Sequence, residues 1–199
     1  VDTAVELVRA RGKERLAGLV NAVLRRATRD GQGIVAAQDA ARLNTPDWLW
    51  QSWVGAYGED RARAIARQHL EEPPLDVTAK ADPQEWLTPL EAEILPQGTL
   101  RRTAGGNVTE LPGFDVGAWW VQDAAATLPV RLFGALQGKF AVDLCSAPGG
   151  KTMQLAAAGA DVVAVDLNAK RLDRVRENLE RVGLRAKLVE AEGATWRPA

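Results

Sequence analysis

The residues with the clearest potential for chemistry lie in one short stretch, Phe140–Thr152, which reads FAVDLCSAPGGKT. Its apolar first part predicts a buried parallel strand, and its end opens a segment of good helix formers. Between them lies a loop of small residues containing Gly149 and Gly150. A strand, a glycine-rich turn and a helix together present backbone amides to a ligand. Glycine at these positions lets a ligand approach the amides without meeting a side chain.

Two common nucleotide-binding motifs do not fit this loop. A phosphate-binding P-loop needs glycine five residues before Gly150, where Cys145 stands instead. The dinucleotide fingerprint G-x-G-x-x-G is also absent, because the loop contains the adjacent glycine pair alone. A tight strand-to-helix turn with no ligand remains the simplest alternative.

The pattern D-x-C-x-A-P-G-G-K-T over residues 143–152 resembles motif I of S-adenosylmethionine-dependent methyltransferases, in the form found in RNA cytosine-5 methyltransferases of the Nop2/Sun type. The resemblance implies an α/β Rossmann-like class I fold, represented here by its first half with three parallel strands. It also implies S-adenosyl-L-methionine as cofactor. The implied cofactor-binding residues of the loop are Cys145, Ser146, Ala147, Pro148, Gly149, Gly150 and Lys151.

Two further acidic residues follow the next predicted strands. Residues 161–165 predict a second buried strand, and Asp166 follows it at the position where a carboxylate accepts hydrogen bonds from both ribose hydroxyls. The alternative is that Asp166 simply begins a loop. After a third predicted strand at residues 186–189, Glu192 stands where the family usually has an aspartate near the adenine. Between these strands, Asn168 predicts a helix start and Gly183 its end.

The resemblance implies catalytic residues that this sequence does not contain. Enzymes of this type add a cysteine thiolate to carbon 6 of cytosine, which makes carbon 5 nucleophilic. The family carries that cysteine in a Thr-Cys context and a second one in an Asp-Ala-Pro-Cys context, whereas Cys145 is the single cysteine here. We therefore expect the chain to stop before its catalytic residues, to bind the cofactor weakly at most, and to have no turnover. Cys145 lies in the cofactor loop and is poorly placed to reach carbon 6.

The first 72 residues predict a helical domain. Residues 3–28 have helical character with a break at Gly12, and their apolar positions form one stripe: Leu16, Leu19, Val20, Val23 and Leu24. Residues 18–26 resemble the end of the NusB-like RNA-binding domain that precedes bacterial Sun-type enzymes. The resemblance implies ribosomal RNA contacts by Arg15, Arg25 and Arg26, and the alternative is a solvated helix face.

The rest of this region predicts a linker over residues 31–42 that runs into a short helix, and two further helices that follow it. Thr45 is predicted to cap the first of these helices, ahead of Pro46. Its aromatic face is expected to be core rather than a base-stacking surface, and consists of Trp50, Trp53 and Tyr57. His69 is expected at the surface, and residues 71–74 mark a domain boundary.

Residues 73–115 predict a small α+β adaptor, and residues 116–199 the N-terminal half of the methyltransferase domain. The adaptor has predicted strands at 75–79, 100–103 and 108–111, with a helix at 82–92. A strand at 118–121 then leads to Gln122 and Asp123. In the family this pair lies beside the cofactor and target pocket, although Asp123 could also simply stabilise a helix N-terminus.

Composition restricts the possible partners. The net charge is −1, with +3 over residues 1–70 and −5 over residues 71–140, so a basic front accompanies an acidic middle. This charge distribution is compatible with RNA binding without requiring it.

We predict a cytoplasmic monomer that binds ribosomal RNA, with no metal and no membrane segment. The function expected is methylation of small-subunit (16S) ribosomal RNA. The alternatives are a methyltransferase with a non-RNA substrate and a non-catalytic RNA-binding module with a nucleoside pocket, and the broken fingerprint disfavours a nicotinamide dehydrogenase.

Overall fold

The computed structural model describes residues 1–198, which form two compact units that meet in sequence between Glu72 and Pro73. The first unit is helical, with α1 (Asp2–Ala10), α2 (Ala17–Ala36), α3 (Ala40–Leu43), α4 (Asp47–Tyr57) and α5 (Glu59–Gln68). Within the described residues, no helix combines the length and apolar character needed to cross a membrane.

Two predictions for α1 and α2 have different outcomes. The break at Gly12 is confirmed, because this residue has a φ of +67° between the two helices. The linker predicted from residue 31 is wrong, since α2 continues to Ala36. An isolated helical glycine costs about 1 kcal/mol, which is too little to end a helix on its own. Most of the predicted apolar stripe is solvent-exposed, including Leu19 at 62% and Val23 at 56%.

The helices that follow differ from prediction in their cap and in their aromatic face. Thr45 does not cap α4, because its hydroxyl donates to the carbonyl of Ala41 and so closes α3. Trp50 is half-buried, but Tyr57 is 54% exposed, so its assignment to the core was wrong. His69 is exposed, as predicted, and lies edge-on to the half-buried ring of Trp53.

The second unit begins with an antiparallel sheet of β1 (Leu75–Ala79), β2 (Glu93–Ile94), β3 (Leu100–Arg102) and β4 (Trp119–Val121) in the order β2-β3-β1-β4. The predicted helix at 82–92 is a single 3₁₀ turn, Pro83–Trp86, because Pro89 lacks an amide and disfavours helical geometry at Thr88. The predicted strand at 108–111 is also a 3₁₀ turn, which the side chain of Asn107 caps by accepting from the amide of Thr109.

The second part of this unit contains a parallel sheet of β5 (Phe140–Leu144), β6 (Asp161–Asp166) and β7 (Lys187–Glu190) in that order. Three helices, α6 (Ala124–Arg131), α7 (Gly150–Ala157) and α8 (Ala169–Val182), belong to this half. Asn168 caps α8 and Gly183 ends it at a φ of +65°, as predicted. The α8 face that packs inward is also the predicted one, consisting of Leu172, Val175, Leu179 and Val182. The three parallel strands agree with a partial Rossmann-like fold.

β4 joins the two sheets because its consecutive side chains point to opposite faces. Trp119 is fully buried in the core of the antiparallel sheet, where it packs with Val77 and Leu100. Trp120 is 1% exposed and packs with Met153 and the buried face of α8. By its hydrogen bonds β4 belongs to the antiparallel sheet, which it enters beside β1, whereas the sequence assigned it to the methyltransferase half.

A buried ion pair holds α6 against the antiparallel sheet. Asp76 on β1 is 5% exposed and accepts hydrogen bonds of 2.7 and 2.8 Å from the guanidinium of Arg101. The same carboxylate accepts from the amide of Ala124, the first residue of α6, at 3.0 Å. The hydrogen bonds from Arg101 lower the pKa of Asp76, so its charged form is the one that the fold stabilises.

The lowered pKa of Asp76 predicts how the pair contributes to stability at different pH. The contribution is present above the unfolded pKa of about 4 and is lost as the pH falls through the lower folded pKa. Because about a third of the Arg101 side chain is exposed, Arg101→Met is expected to reduce the free energy of unfolding by about 2 kcal/mol at pH 7 and by much less at pH 2.5. Urea unfolding at both pH values measures this, with the exposed Arg185→Met as control. Equal losses at the two pH values would contradict the assignment.

Candidate cofactor site

The loop after β5 forms one side of a cavity of about 260 Å³ at the carboxyl end of that strand. Six of the predicted cofactor residues line it: Cys145, Ser146, Ala147, Pro148, Gly150 and Lys151. The opposite side comes from the end of β4 and the start of α6, namely Val121, Gln122, Asp123 and Ala126. Asp143 on β5 completes the lining. The cavity therefore lies between the loop and the antiparallel sheet.

One side chain of the loop has a buried hydrogen-bonding group without a partner. Ser146 is 5% exposed, and its Oγ is buried with no hydrogen-bond partner among residues 1–198. Burying a hydroxyl without a partner is unfavourable, and such groups are rare in folded proteins.

The backbone of the loop has two residues with positive φ. Cys145 has a φ of +58°, which is uncommon for a residue other than glycine, and its side chain is exposed at the cavity. Gly149 has a φ of +108°, and a Cβ placed there would lie 3.2 Å from the Cγ1 of Val175 on α8. Gly149 does not line the cavity. Its glycine is required by backbone geometry and by packing against α8, a reason that the sequence alone did not provide.

Side chains of α8 hold the loop through its carbonyl groups. Arg171 donates to the carbonyl of Ala147 at 3.0 Å, and Asn178 donates to the carbonyl of Pro148 at 2.9 Å. Asp166, at the end of β6, accepts from the amide of Ala147 at 3.1 Å. These three bonds position the loop from the side opposite the cavity.

Asp166 lies behind the loop rather than on the cavity surface. Its carboxylate is directed at the loop, as expected, but the residue is 3% exposed and also accepts from the amide of Asn168. Arg171 approaches the same carboxylate to 3.7 Å. The predicted contact of Asp166 with a ribose stays a prediction. Leu167, which directly follows Asp166, is an apolar residue with 70% of its surface exposed, and the sequence analysis assigned it no role.

Glu192, predicted near the adenine, is not among the residues that line this cavity. Glu192 is exposed after β7, and its carbonyl closes a turn by accepting from the amides of Thr195 and Trp196. Among the predicted RNA-binding residues, Arg25 and Arg26 are exposed on α2 and Arg15 is exposed in the 3₁₀ turn before it. Their contacts with a ligand remain predictions.

Asp123 and Gln122 have structural partners as well as a place at the cavity. Asp123 caps α6 by accepting from the amides of Ala125 and Ala126, which confirms the helix-terminus interpretation. Because its side chain also borders the cavity, the capping role and a ligand role are compatible. Gln122 is 5% exposed and fully hydrogen-bonded, so it forms a rigid part of the wall.

Asp143 is a cavity residue that the sequence analysis quoted without assigning it a role. Its carboxylate is half-buried and accepts a 2.6 Å hydrogen bond from Thr152. Burial raises the pKa of this carboxyl, because the charged form loses solvation that Thr152 and Lys151 restore only in part. The position of Asp143, at the end of an apolar strand and before the loop, was the signal available in the sequence.

The raised pKa of Asp143 predicts a pH dependence opposite to that of Asp76. Stability is fully present below the unfolded pKa of about 4 and is reduced as the pH rises through the raised folded pKa. Asp143→Asn keeps an acceptor for Thr152 and removes the buried charge. We expect a higher urea midpoint than wild type at pH 7 and no difference near pH 3. The exposed Asp161→Asn serves as control, and a lower midpoint for Asp143→Asn at pH 7 would contradict the argument.

Comparisons with known families agree with these features. The family described as 16S rRNA methyltransferase RsmB/F matches residues 132–197, and the NusB family matches residues 1–29. The chain is similar to ribosomal RNA small subunit methyltransferase B of Pseudomonas syringae pv. tomato, with 38% identity over 90% of this chain and 44% of that protein. The corresponding protein of Cronobacter sakazakii is 36% identical over 98% of this chain and 48% of its own length. The chain thus spans about half the length of the curated relatives it matches.

Solved structures with the same fold come from Pyrococcus horikoshii. A methyltransferase homolog protein has a TM-score of 0.66 at 24% identity, over 77% of this chain and 55% of its own. A structure of NSun6 with SFG has a TM-score of 0.64 at 15% identity, over 74% and 65% of the two chains. The solved structures share the fold, while the loop at residues 143–152, the family matches and the curated relatives support a fragment of the Nop2/Sun type of methyltransferase.

Proposed function

We propose that this chain is the cofactor-binding segment of an S-adenosylmethionine-dependent RNA cytosine-5 methyltransferase that acts on small-subunit ribosomal RNA. The observation that carries the proposal is the cavity beside the glycine loop, which six of the predicted cofactor residues line. The names of the relatives support the reaction and the substrate.

The residues around the cavity fit the chemical groups of this cofactor. Lys151 and the start of α7, which has no N-cap side-chain hydrogen bond, suit a carboxylate, since helix N-termini attract negative charge. Asp123, which lines the cavity from the start of α6, suits an ammonium group. The cofactor supplies an electrophilic methyl group on a sulfonium centre. SFG, bound to one structural neighbour, is an analogue of the same molecule.

The roles of this chain's own residues follow from their contacts. Arg171 and Asn178 hold the loop carbonyls, Asp166 holds the amide of Ala147, and Gln122 supports the opposite wall. Cys145 is exposed at the cavity and is the single cysteine of the chain. The proposal assigns binding and orientation of the methyl donor to residues 121–192. It assigns addition to carbon 6 of cytosine to a cysteine outside these 199 residues.

Calorimetry with S-adenosylhomocysteine tests the cofactor assignment. The wild-type chain is expected to release or absorb heat with this ligand and to give no signal with NADH. In Gly150→Ala the new Cβ would lie 3.5 Å from Gln122, an ordinary contact that leaves the fold intact but puts a methyl group at the cavity. We expect roughly tenfold weaker binding, equivalent to about 1.4 kcal/mol.

The control for this variant is Gly105→Ala, at a site with no atom within 4 Å of the new Cβ. Its affinity should equal that of wild type. Binding of NADH in place of S-adenosylhomocysteine would indicate a nicotinamide enzyme and would overturn the proposal. Tritiated methyl transfer to ribosomal RNA by the 199-residue chain alone would overturn the assignment of the nucleophile to another segment.

Filter binding with unmodified small-subunit ribosomal RNA tests the substrate assignment. Arg25→Glu combined with Arg26→Glu is expected to weaken binding and to reduce the slope of log affinity against log salt by about 2, since two phosphate contacts are lost. The matched control, Arg61→Glu with Arg67→Glu on α5, makes the same charge change at two other exposed arginines. Equal effects of the two double variants would show a general charge effect and contradict a docking site on α2.

A further inference from the structure

A chain of buried hydrogen bonds connects the antiparallel sheet to the first turns of α7. Gln122 Oε1 accepts from Thr78 Oγ1 and from the indole N–H of Trp120, both at 2.9 Å. Gln122 Nε2 donates to Gln154 Oε1 at 2.8 Å, and Gln154 Nε2 donates to the carbonyl of Thr127 at 3.0 Å. All five residues are buried, with exposures of 9% or less. The chain therefore links β1, β4, α6 and α7.

The donor and acceptor of every hydrogen bond in this series are determined by the groups at its two ends. An indole N–H can only donate, so the atom of Gln122 facing Trp120 must be its oxygen. A backbone carbonyl can only accept, so the atom of Gln154 facing Thr127 must be its nitrogen. These two constraints orient both side-chain amides, and the hydroxyl of Thr78 must then act as the donor. No other arrangement satisfies all of these groups.

Gln122 connects this series of hydrogen bonds to the cavity. Its side chain lines the cavity and supports the first residue of α7, because a Cβ on Gly150 would lie within 3.5 to 3.9 Å of three Gln122 carbon atoms. Gln154 lies one turn further along α7, and its side-chain oxygen accepts a hydrogen bond from the side-chain amide of Gln122. Both walls of the cavity are thus held at a defined separation by one buried side chain.

We infer that Thr78 and Gln154 are positioning residues for the cofactor cavity, and that the antiparallel sheet is a fixed wall of that site rather than a connector alone. The inference rests on the proposed function for the identity of the ligand. The geometric part, which is the control of the start of α7 by the hydroxyl of Thr78, stands independently of it.

Thr78→Val tests the inference because it removes the hydroxyl and keeps the shape of the side chain. We expect about tenfold weaker binding of S-adenosylhomocysteine, the effect of losing one buried hydrogen-bond donor. Amide hydrogen exchange over residues 150–157 of the unliganded chain should become faster, while a peptide covering residues 161–166 stays unchanged. Thr78→Ser keeps the donor and should restore both properties.

Thr99→Val is the matched control. Thr99 lies just before β3, is 1% exposed, and its hydroxyl has no hydrogen-bond partner within the described part of the chain. The same substitution there should change neither ligand affinity nor exchange in α7. If Thr78→Val and Thr99→Val accelerate exchange in α7 equally, the effect is one of general packing and the inference is overturned.

A double-mutant cycle provides a second readout that a purely structural role would not give. Thr78→Val and Gln154→Leu both act through Gln122, so their effects on exchange in α7 should be less than additive, whereas Thr99→Val and Gln154→Leu should add. Wild-type affinity with unchanged exchange in Thr78→Val would overturn the inference. If the wild-type chain does not bind S-adenosylhomocysteine, the proposed function of this segment fails, and the exchange data alone decide the positioning role.

Discussion

The second unit depends on the burial of β4 between two different cores. Trp119 and Trp120 are adjacent in sequence and both are almost completely buried, which is possible only because a strand directs successive side chains to opposite faces. Buried polar side chains next to such a strand must also find hydrogen-bond partners within the protein. Gln122 does so through donors and acceptors from four other residues. The packing of the tryptophans and the hydrogen bonds of Gln122 together make the two sheets one unit.

The cavity follows from that junction. One wall is a loop that bends through the positive φ values of Cys145 and Gly149 and is held from behind by α8. The other wall is the end of β4, which the junction keeps in place. Asp143 lies between them with a pKa raised by burial, so at neutral pH its charge lowers stability. A carboxylate with a pKa raised by burial in a cavity is the kind of group that is found often at functional sites.

The accuracy of the sequence-based predictions depended on how local the determining interactions are. Elements with strong local signals were predicted well, such as α8 with its Asn168 cap and Gly183 terminator. Errors occurred where a local signal was misjudged or a competing contact prevailed. Thr45 resembles a cap, but its hydroxyl bonds to the preceding turn instead. For Gly149, access for a ligand stays a prediction, and its φ and the proximity of Val175 give a second reason for glycine.

The sequence alone determined the class of the site, because a strand, a loop of defined spelling and a helix are contiguous over residues 140–152 and need no distant partner to be recognised. It also determined the inward face of α8 through its period. Only the tertiary structure decided that Asp166 lies behind the loop, that Asp143 borders the cavity, and that Thr78 reaches Gln122. Thr78 and Gln122 are 44 residues apart in sequence. Contacts of this kind depend on how strands pair and pack, which the local pattern of residue types does not encode.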